Sequence, residues 1–509
     1  MARTKPRRKR PPRTAPLQKD TSWEFETKYL FKPGANVIAA KLGTRSLLDL
    51  PDELILLVIS ELLAIRLDQP QSLAFKNRHK ETDRQYENYY RRSALYALCL
   101  TSKRLNRLAI PALYDAIVGS TTSYGIKPLR LVCRTLTDRE ELRSHVQYVE
   151  NLLEDCLGNK LFNDLEDGNA DKWVNEYFQK LAWIIRMCPN IQQMSVISIE
   201  SPDFTFWRCL LDLPDEGMWD QDRRNMQSVP RHSLRKLQKL TLQTNVSEGY
   251  MRQHLVDLNR IYVALLGCSP LTELRASGVT GGLSYHIPSG LTFERLQRIE
   301  ITECTLPFKD VDNLLSVCDN LRHFVCHWTF LWCQLSHEQV ELLPNLQKHH
   351  KTMETLCLMA SRAGFEYTSS DSWVSCPSLC QMATLKEAKL CNLFIPDKQC
   401  RITELPGGVP EFPIAPELPP SLENLTISYT MRYIDSDTWR TSDCTSLQRL
   451  AVDCTQHLPR LRDLVIQYEG GRVGLYGGDD EDLVRSFGEQ GVRLRVVEKV
   501  DVPAMLNQD

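Results

Sequence analysis

The sequence predicts an α/β chain in which a helical amino-terminal module precedes a solenoid, a curved parallel sheet with outer helices. Three observations predict it. A Leu-x-x-Leu-x-Leu pattern, or its apolar equivalent, recurs between residues 191 and 466. Amphipathic stretches lie between several recurrences, and ahead of them stands a helical pair with more apolar surface than one core contact needs.

The helical pair comes first. In Leu50-Pro51-Asp52-Glu53-Leu54, Asp49 can serve as the N-cap, Pro51 suits a first turn, and Asp52 with Glu53 favours the positive end of a helix dipole. Leu54, Leu57, Val58 and Leu62 share one face, while Ile55, Leu56 and Ile59 widen it beyond a single stripe. Such a helix needs partners on two sides. Leu95, Leu98, Cys99, Leu105, Leu108 and Ala109 continue at helical spacing; Thr101-Ser102 can cap a further helix before Lys103, and Pro111 ends or kinks it.

Three blocks of this region, Leu50-Pro51-Asp52-Glu53-Leu54, Leu98-Cys99-Leu100-Thr101-Ser102-Lys103 and Ala109-Ile110-Pro111-Ala112-Leu113-Tyr114, follow one another in the order found in the F-box, a helical docking module. The segment 44–118 resembles that family, particularly its fungal form. It departs from it in an insert at 64–93, dense in charge and aromatics (Arg66, Lys76, Arg84, Tyr86, Tyr89, Tyr90, Arg91, Arg92), where the family has a short turn. The resemblance implies that Leu50, Pro51, Leu54, Ile55, Ile59, Leu98 and Leu100, with Lys103 at the rim, contact a Skp-family adaptor and through it a cullin.

The repeats occupy 119–500. The pattern returns at Ile191-Met194-Val196, Leu237-Leu240-Leu242, Leu271-Leu274-Ala276, Leu296-Ile299-Ile301, Leu321-Phe324-Cys326, Met353-Leu356-Leu358, Leu385-Ala388-Leu390, Leu422-Leu425-Ile427, Leu447-Leu450-Val452 and Leu461-Leu464-Ile466. The phase resembles leucine-rich repeats, divergent in that the spacing is longer and less regular than the usual ~20–29 residues. Asn245 and Cys304 stand where that family places a loop-satisfying Asn or Cys, and Cys188, Cys268, Cys318 and Cys444 each precede a strand by three residues. Residues 173–187, 251–266 and 311–317 read as outer helices. Because a strand alternates its faces, the outward positions Lys239, Thr241, Glu273, Arg275, Arg298, Glu300, His323, His327, Thr355, Glu387, Lys389, Asn424, Thr426, Arg449 and Asp453 form a candidate concave binding face of mixed sign. Leu461 follows Leu447 too closely for a full repeat, so those two strands are expected to pair directly.

Composition bounds the rest. The chain has 509 residues, 42% hydrophobic and 25% charged, with 17 cysteines, an odd total scattered through apolar positions; this argues for reduced thiols in nucleus or cytoplasm. No apolar run nears the ~20 residues of a membrane-spanning helix. Residues 1–20 form a basic tail, expected to be disordered and suited to nuclear import; without its eight Lys/Arg and one Asp the net charge falls from −2 to −9, which disfavours nucleic acid as a ligand. A Pro-rich loop is expected at 405–420 and a Gly-rich acidic turn at 470–482.

No catalytic constellation emerges, and neither a cofactor nor a metal is implied. His337-Glu338-Gln339-Val340-Glu341 lacks the second histidine of a zinc helix, and Cys376, Cys380, Cys391 and Cys400 match no common zinc spacing. The two resemblances together imply a substrate receptor of an SCF cullin-RING ubiquitin ligase, whose repeats hold a protein to be ubiquitinated. A non-degradative, chromatin-associated assembly role and a hydrolase with dispersed catalytic residues are the rival expectations.

Overall fold

Twelve parallel strands form one sheet in strict chain order. They are β1 (Ala116–Ser120), β2 (Tyr148–Leu152), β3 (Gln193–Ser198), β4 (Lys239–Thr244), β5 (Glu273–Ser277), β6 (Arg298–Cys304), β7 (His323–Trp328), β8 (Thr355–Ala360), β9 (Glu387–Cys391), β10 (Asn424–Tyr429), β11 (Asp463–Glu469) and β12 (Arg493–Lys499). The computed structural model describes residues 47–67, 78–120, 127–152, 170–198, 205–211, 234–244, 256–266, 270–281, 290–329, 331–335, 340–360, 363–367, 374–391, 394–395, 414–429, 438–469 and 480–499.

Strands β2 to β11 enter the sheet in the same way. One carbonyl of the preceding segment accepts two consecutive N–H groups: Gln147 O takes Gln192 and Gln193, Gln192 O takes Gln238 and Lys239, Gln238 O takes Thr272 and Glu273, and the device continues to Glu423 O, which takes Arg462 and Asp463. This shared geometry holds the strands in register. Two rows of side chains consequently cross the sheet from end to end on one face. The first runs Ile117, Val149, Met194, Leu240, Leu274, Ile299, Phe324, Leu356, Ala388, Leu425, Leu464, Leu494, and every member is buried. Burial of each large member contributes ~1.5–3 kcal/mol, which a lone repeat could not assemble.

Helices cover that face. They share one core with the strand rows through Leu181 and Ile185 of α6 (Ala170–Met187), Leu210 of α7 (Thr205–Leu211), Ile261 and Leu265 of α8 (Leu258–Leu265), Leu314 of α9 (Phe308–Ser316), Leu450 of α10 (Thr438–His457) and Phe487 of α11 (Asp480–Glu489). α6 and α9 answer the helices expected at 173–187 and 311–317. α8 is shorter than expected, because Asp257 lies in a two-residue strand and caps the helix, accepting from Asn259 N at 3.0 Å.

Before the sheet lie α1 (Asp52–Ser60), α2 (Arg78–Thr101) and α3 (Lys103–Leu113); after β1 come α4 (Lys127–Asp138) and α5 (Glu140–Arg143). Ser102 caps α3 by accepting from Leu105 N at 3.2 Å, and Pro111 sits inside its last turn. Asp49 closes a short 3-10 turn, and α1 begins after Pro51. The insert, whose conformation its sequence leaves open, supplies the first four turns of α2 from Arg78 onward. The chain divides into two compact units between Leu57 and Val58, and the second holds α2, α3 and the entire sheet.

Several expectations are corrected. Residues 447–452 are not a strand but the interior of α10, so Arg449 and Asp453 lie on a helix, paired with each other at 3.4 Å. β11 is therefore a full repeat reached from β10 by a long crossover. Cys444 falls on α10 too, whereas Cys188 and Cys318 occupy buried corners, Cys318 Sγ donating to Leu314 O at 3.2 Å. Asp480 to Asp482 open α11 and do not close a turn. Of the proline-rich segment, the described part buries Ile414, Ala415 and Leu418 around a short 3-10 turn. The tail at 1–20, Asn245, Cys268, His337 and Cys400 lie outside the described residues.

Candidate functional site

Helix α1 has the composition of a core helix with the exposure of a surface one. Ile55 and Ile59 are buried at 1% and 3% exposure, yet Leu54, Leu56, Leu57 and Val58 all stand in solvent, Leu57 at 62%. In nine residues, four large apolar side chains face water. Of the expected adaptor contacts, Pro51, Leu54, Leu100 and Lys103 are exposed and Leu50 and Leu98 half-buried. Ile55 and Ile59, expected among the same contacts, are buried.

Helix α2 carries an exposed face that joins insert tyrosines to Leu100, a grouping the sequence did not reveal. Tyr86, Tyr89, Tyr90, Tyr96 and Leu100 recur at helical spacing and are exposed, Leu100 at 70%. The signal was present as a period in the tyrosines, hidden by the charges between them. The opposite side of α2 is fastened to the sheet. Asn88 clamps the Ile65 backbone, accepting from its N–H at 2.7 Å and donating to its carbonyl at 3.0 Å. Arg91 donates to Leu63 O at 3.0 Å.

From Ile65 the chain runs as a strap over the first strands. Tyr148 Oη accepts from Leu67 N at 2.9 Å and donates to Glu150 Oε2 at 2.7 Å, while Gln193 Nε2 donates to Leu67 O at 3.1 Å. Arg84 of α2 reaches the same place and forms a two-pronged ion pair with Glu150, whose side chain is fully buried. Burial and then the Glu150 charge push the Tyr148 hydroxyl well above its ordinary value. Arg66 stacks on the Tyr148 ring at 5.6 Å and pairs with Asp115 at 3.1 Å. Tyr148, Glu150 and Gln193 point away from the helices, so the insert occupies the amino-terminal end of the face expected to bind cargo.

Beyond the strap, the expected cargo residues largely satisfy one another. Lys239 Nζ meets Glu273 at 2.9 Å; Arg275 bridges Glu273 at 3.4 Å and Glu300 at 3.5 Å; Arg298 Nε donates to Glu300 at 2.6 Å. Five charges thus alternate in sign across β4, β5 and β6. His323 Nδ1 lies 3.2 Å from Thr355 Oγ1, and burial, then Arg298, holds its imidazole below the ordinary range. Thr241, Glu300 and Lys389 are buried, His327 and Thr426 half-buried, and Glu387 and Asn424 exposed. Arg449 and Asp453 are absent from the face. Asp463, Arg493 and Arg495, which sequence reading overlooked, belong to it through β11 and β12.

Among the described residues no group of three or more His, Cys, Asp or Glu side chains is placed to hold a metal ion, and no helix is long and apolar enough to cross a membrane. No family model and no curated protein matches this sequence.

Proposed function

We propose that this chain is an F-box protein with divergent leucine-rich repeats, acting as the substrate-recognition subunit of an SCF cullin-RING ubiquitin ligase. The exposed quartet Leu54, Leu56, Leu57 and Val58 carries the reading, because so short a helix does not leave four large apolar groups in water unless another subunit covers them. Covering each contributes ~1.5–3 kcal/mol, against an association cost of ~4–15 kcal/mol. Leu50, Pro51, Leu98, Leu100 and Lys103 complete the residues assigned to the Skp-family adaptor. Twelve parallel strands in chain order support the repeat half of the reading, and the outward positions of β7 to β10, of which Glu387 and Asn424 are exposed, are where a protein cargo would lie.

Affinity purification of the intact chain, with and without proteasome inhibition, tests it. Adaptor and cullin are expected together, with cargo enriched under inhibition. Adaptor without cullin would favour the non-degradative assembly role, and neither would refute both.

A further inference from the structure

The last strand of the sheet has one neighbour among the described strands. β12 pairs with β11 over seven residues and closes the strand order, which leaves its outer backbone edge unpaired by any described strand. On the face opposite the helices this edge is basic. Arg493 and Arg495 are both exposed and two positions apart, with Arg462 and a single acid, Asp463, beside them. Arg493 Nε donates to Asp463 at 2.6 Å; that bond, and the charges of Arg493, Arg495 and Arg462, hold the carboxyl below its ordinary range. Three guanidinium groups against one carboxylate leave two positive charges in excess. On the helix side, the buried Leu494 and the half-buried Val496 end the core at the last described strand.

We propose that this edge takes an acidic, extended segment of a partner protein as a thirteenth strand. Its backbone would pair with β12, acidic side chains at alternate positions, ~6.8 Å apart, would face Arg493 and Arg495, and the apolar side chains between and beyond them would lie beside Leu494 and Val496. Pairing gives affinity; alternation gives selectivity. A second copy of this chain does not fit, because antiparallel pairing of two whole β12 edges would set Arg493 against Lys499 and Leu494 against Glu498. The surface belongs to the sheet edge and stands or falls independently of adaptor binding.

The test is fluorescence anisotropy of the intact chain with a labelled Glu-Val-Glu-Val-Glu-Thr-Glu peptide and its lysine counterpart. The acidic peptide should bind and the basic one should not, with binding weakening as salt rises. Arg495→Glu should weaken it about tenfold or more, and Arg495→Lys should retain most of it, with unchanged thermal melts for both variants. Methylating the peptide amides that face β12 should abolish binding, while methylating the alternate set should not. Equal affinity for both peptides, indifference to Arg495→Glu, insensitivity to methylation, or no binding would each overturn the proposal. In the last case the arginines act only to keep sheet edges of separate molecules apart.

Discussion

The Glu150 carboxylate sits at 0% exposure, held by the Arg84 guanidinium and the Tyr148 hydroxyl. Deleting one partner of a buried pair strands the other, so Glu150→Ala should cost ~3–5 kcal/mol in urea unfolding, with Glu150→Gln milder because its amide oxygen still accepts. Tyr148 adds a pH signature. Its folded value lies above the unfolded ~10, so its contribution is complete below pH 10 and is lost as pH rises beyond it. His349 works in the opposite direction. Its Nε2 donates to Leu315 O at 3.1 Å, and burial holds its imidazole below the unfolded ~6.5. Its contribution is present above pH 6.5 and lost as pH falls. Stability measured against pH should therefore decline at both ends; Tyr148→Phe should flatten the alkaline limb and His349→Gln the acid one. Tyr148 and Glu150 are two positions apart on one strand, but the Arg84–Glu150 and His349–Leu315 partnerships join residues far apart in the chain and were not legible in the sequence.

At the scale of elements, α10 shows why a repeat pattern can mislead. The strand template and a helix both place apolar residues three apart, so Leu447 and Leu450 satisfy either. The third position separates them. A strand would bury Val452, whereas Val452 is 73% exposed and Ala451 and Cys454 are buried, as a period of 3.6 requires. Val452→Asp should change stability by no more than ~0.5 kcal/mol and Leu450→Ala should cost ~2–5 kcal/mol; a large loss from Val452→Asp would restore the strand. The opposite error hid β1 and β2. Their third positions hold Gly119 and Asn151, which break the apolar template although Asn151 is fully buried. From β3 to β10 the template placed every strand of the sheet, because there all three positions are apolar and packing agrees with pattern.

For the whole molecule, the α/β class and the parallel sheet were legible because burying two apolar rows from β3 to β11 demands the same residue types again and again. The candidate cargo face was legible as a row but not in its chemistry. Nothing in the sequence announces that Lys239, Glu273, Arg275, Glu300 and Arg298 form one chain of ion pairs, or that the insert straps the first strands. The central claim concerns the greasy α1 helix, and calorimetric titration of the purified full chain with a purified Skp-family adaptor tests it most directly. The account predicts a one-to-one complex that Leu54→Glu together with Leu57→Glu abolishes while the circular dichroism of the sheet is unchanged. A chain that stays monodisperse alone and releases no heat on mixing, or a double variant that binds as the parent does, would contradict it.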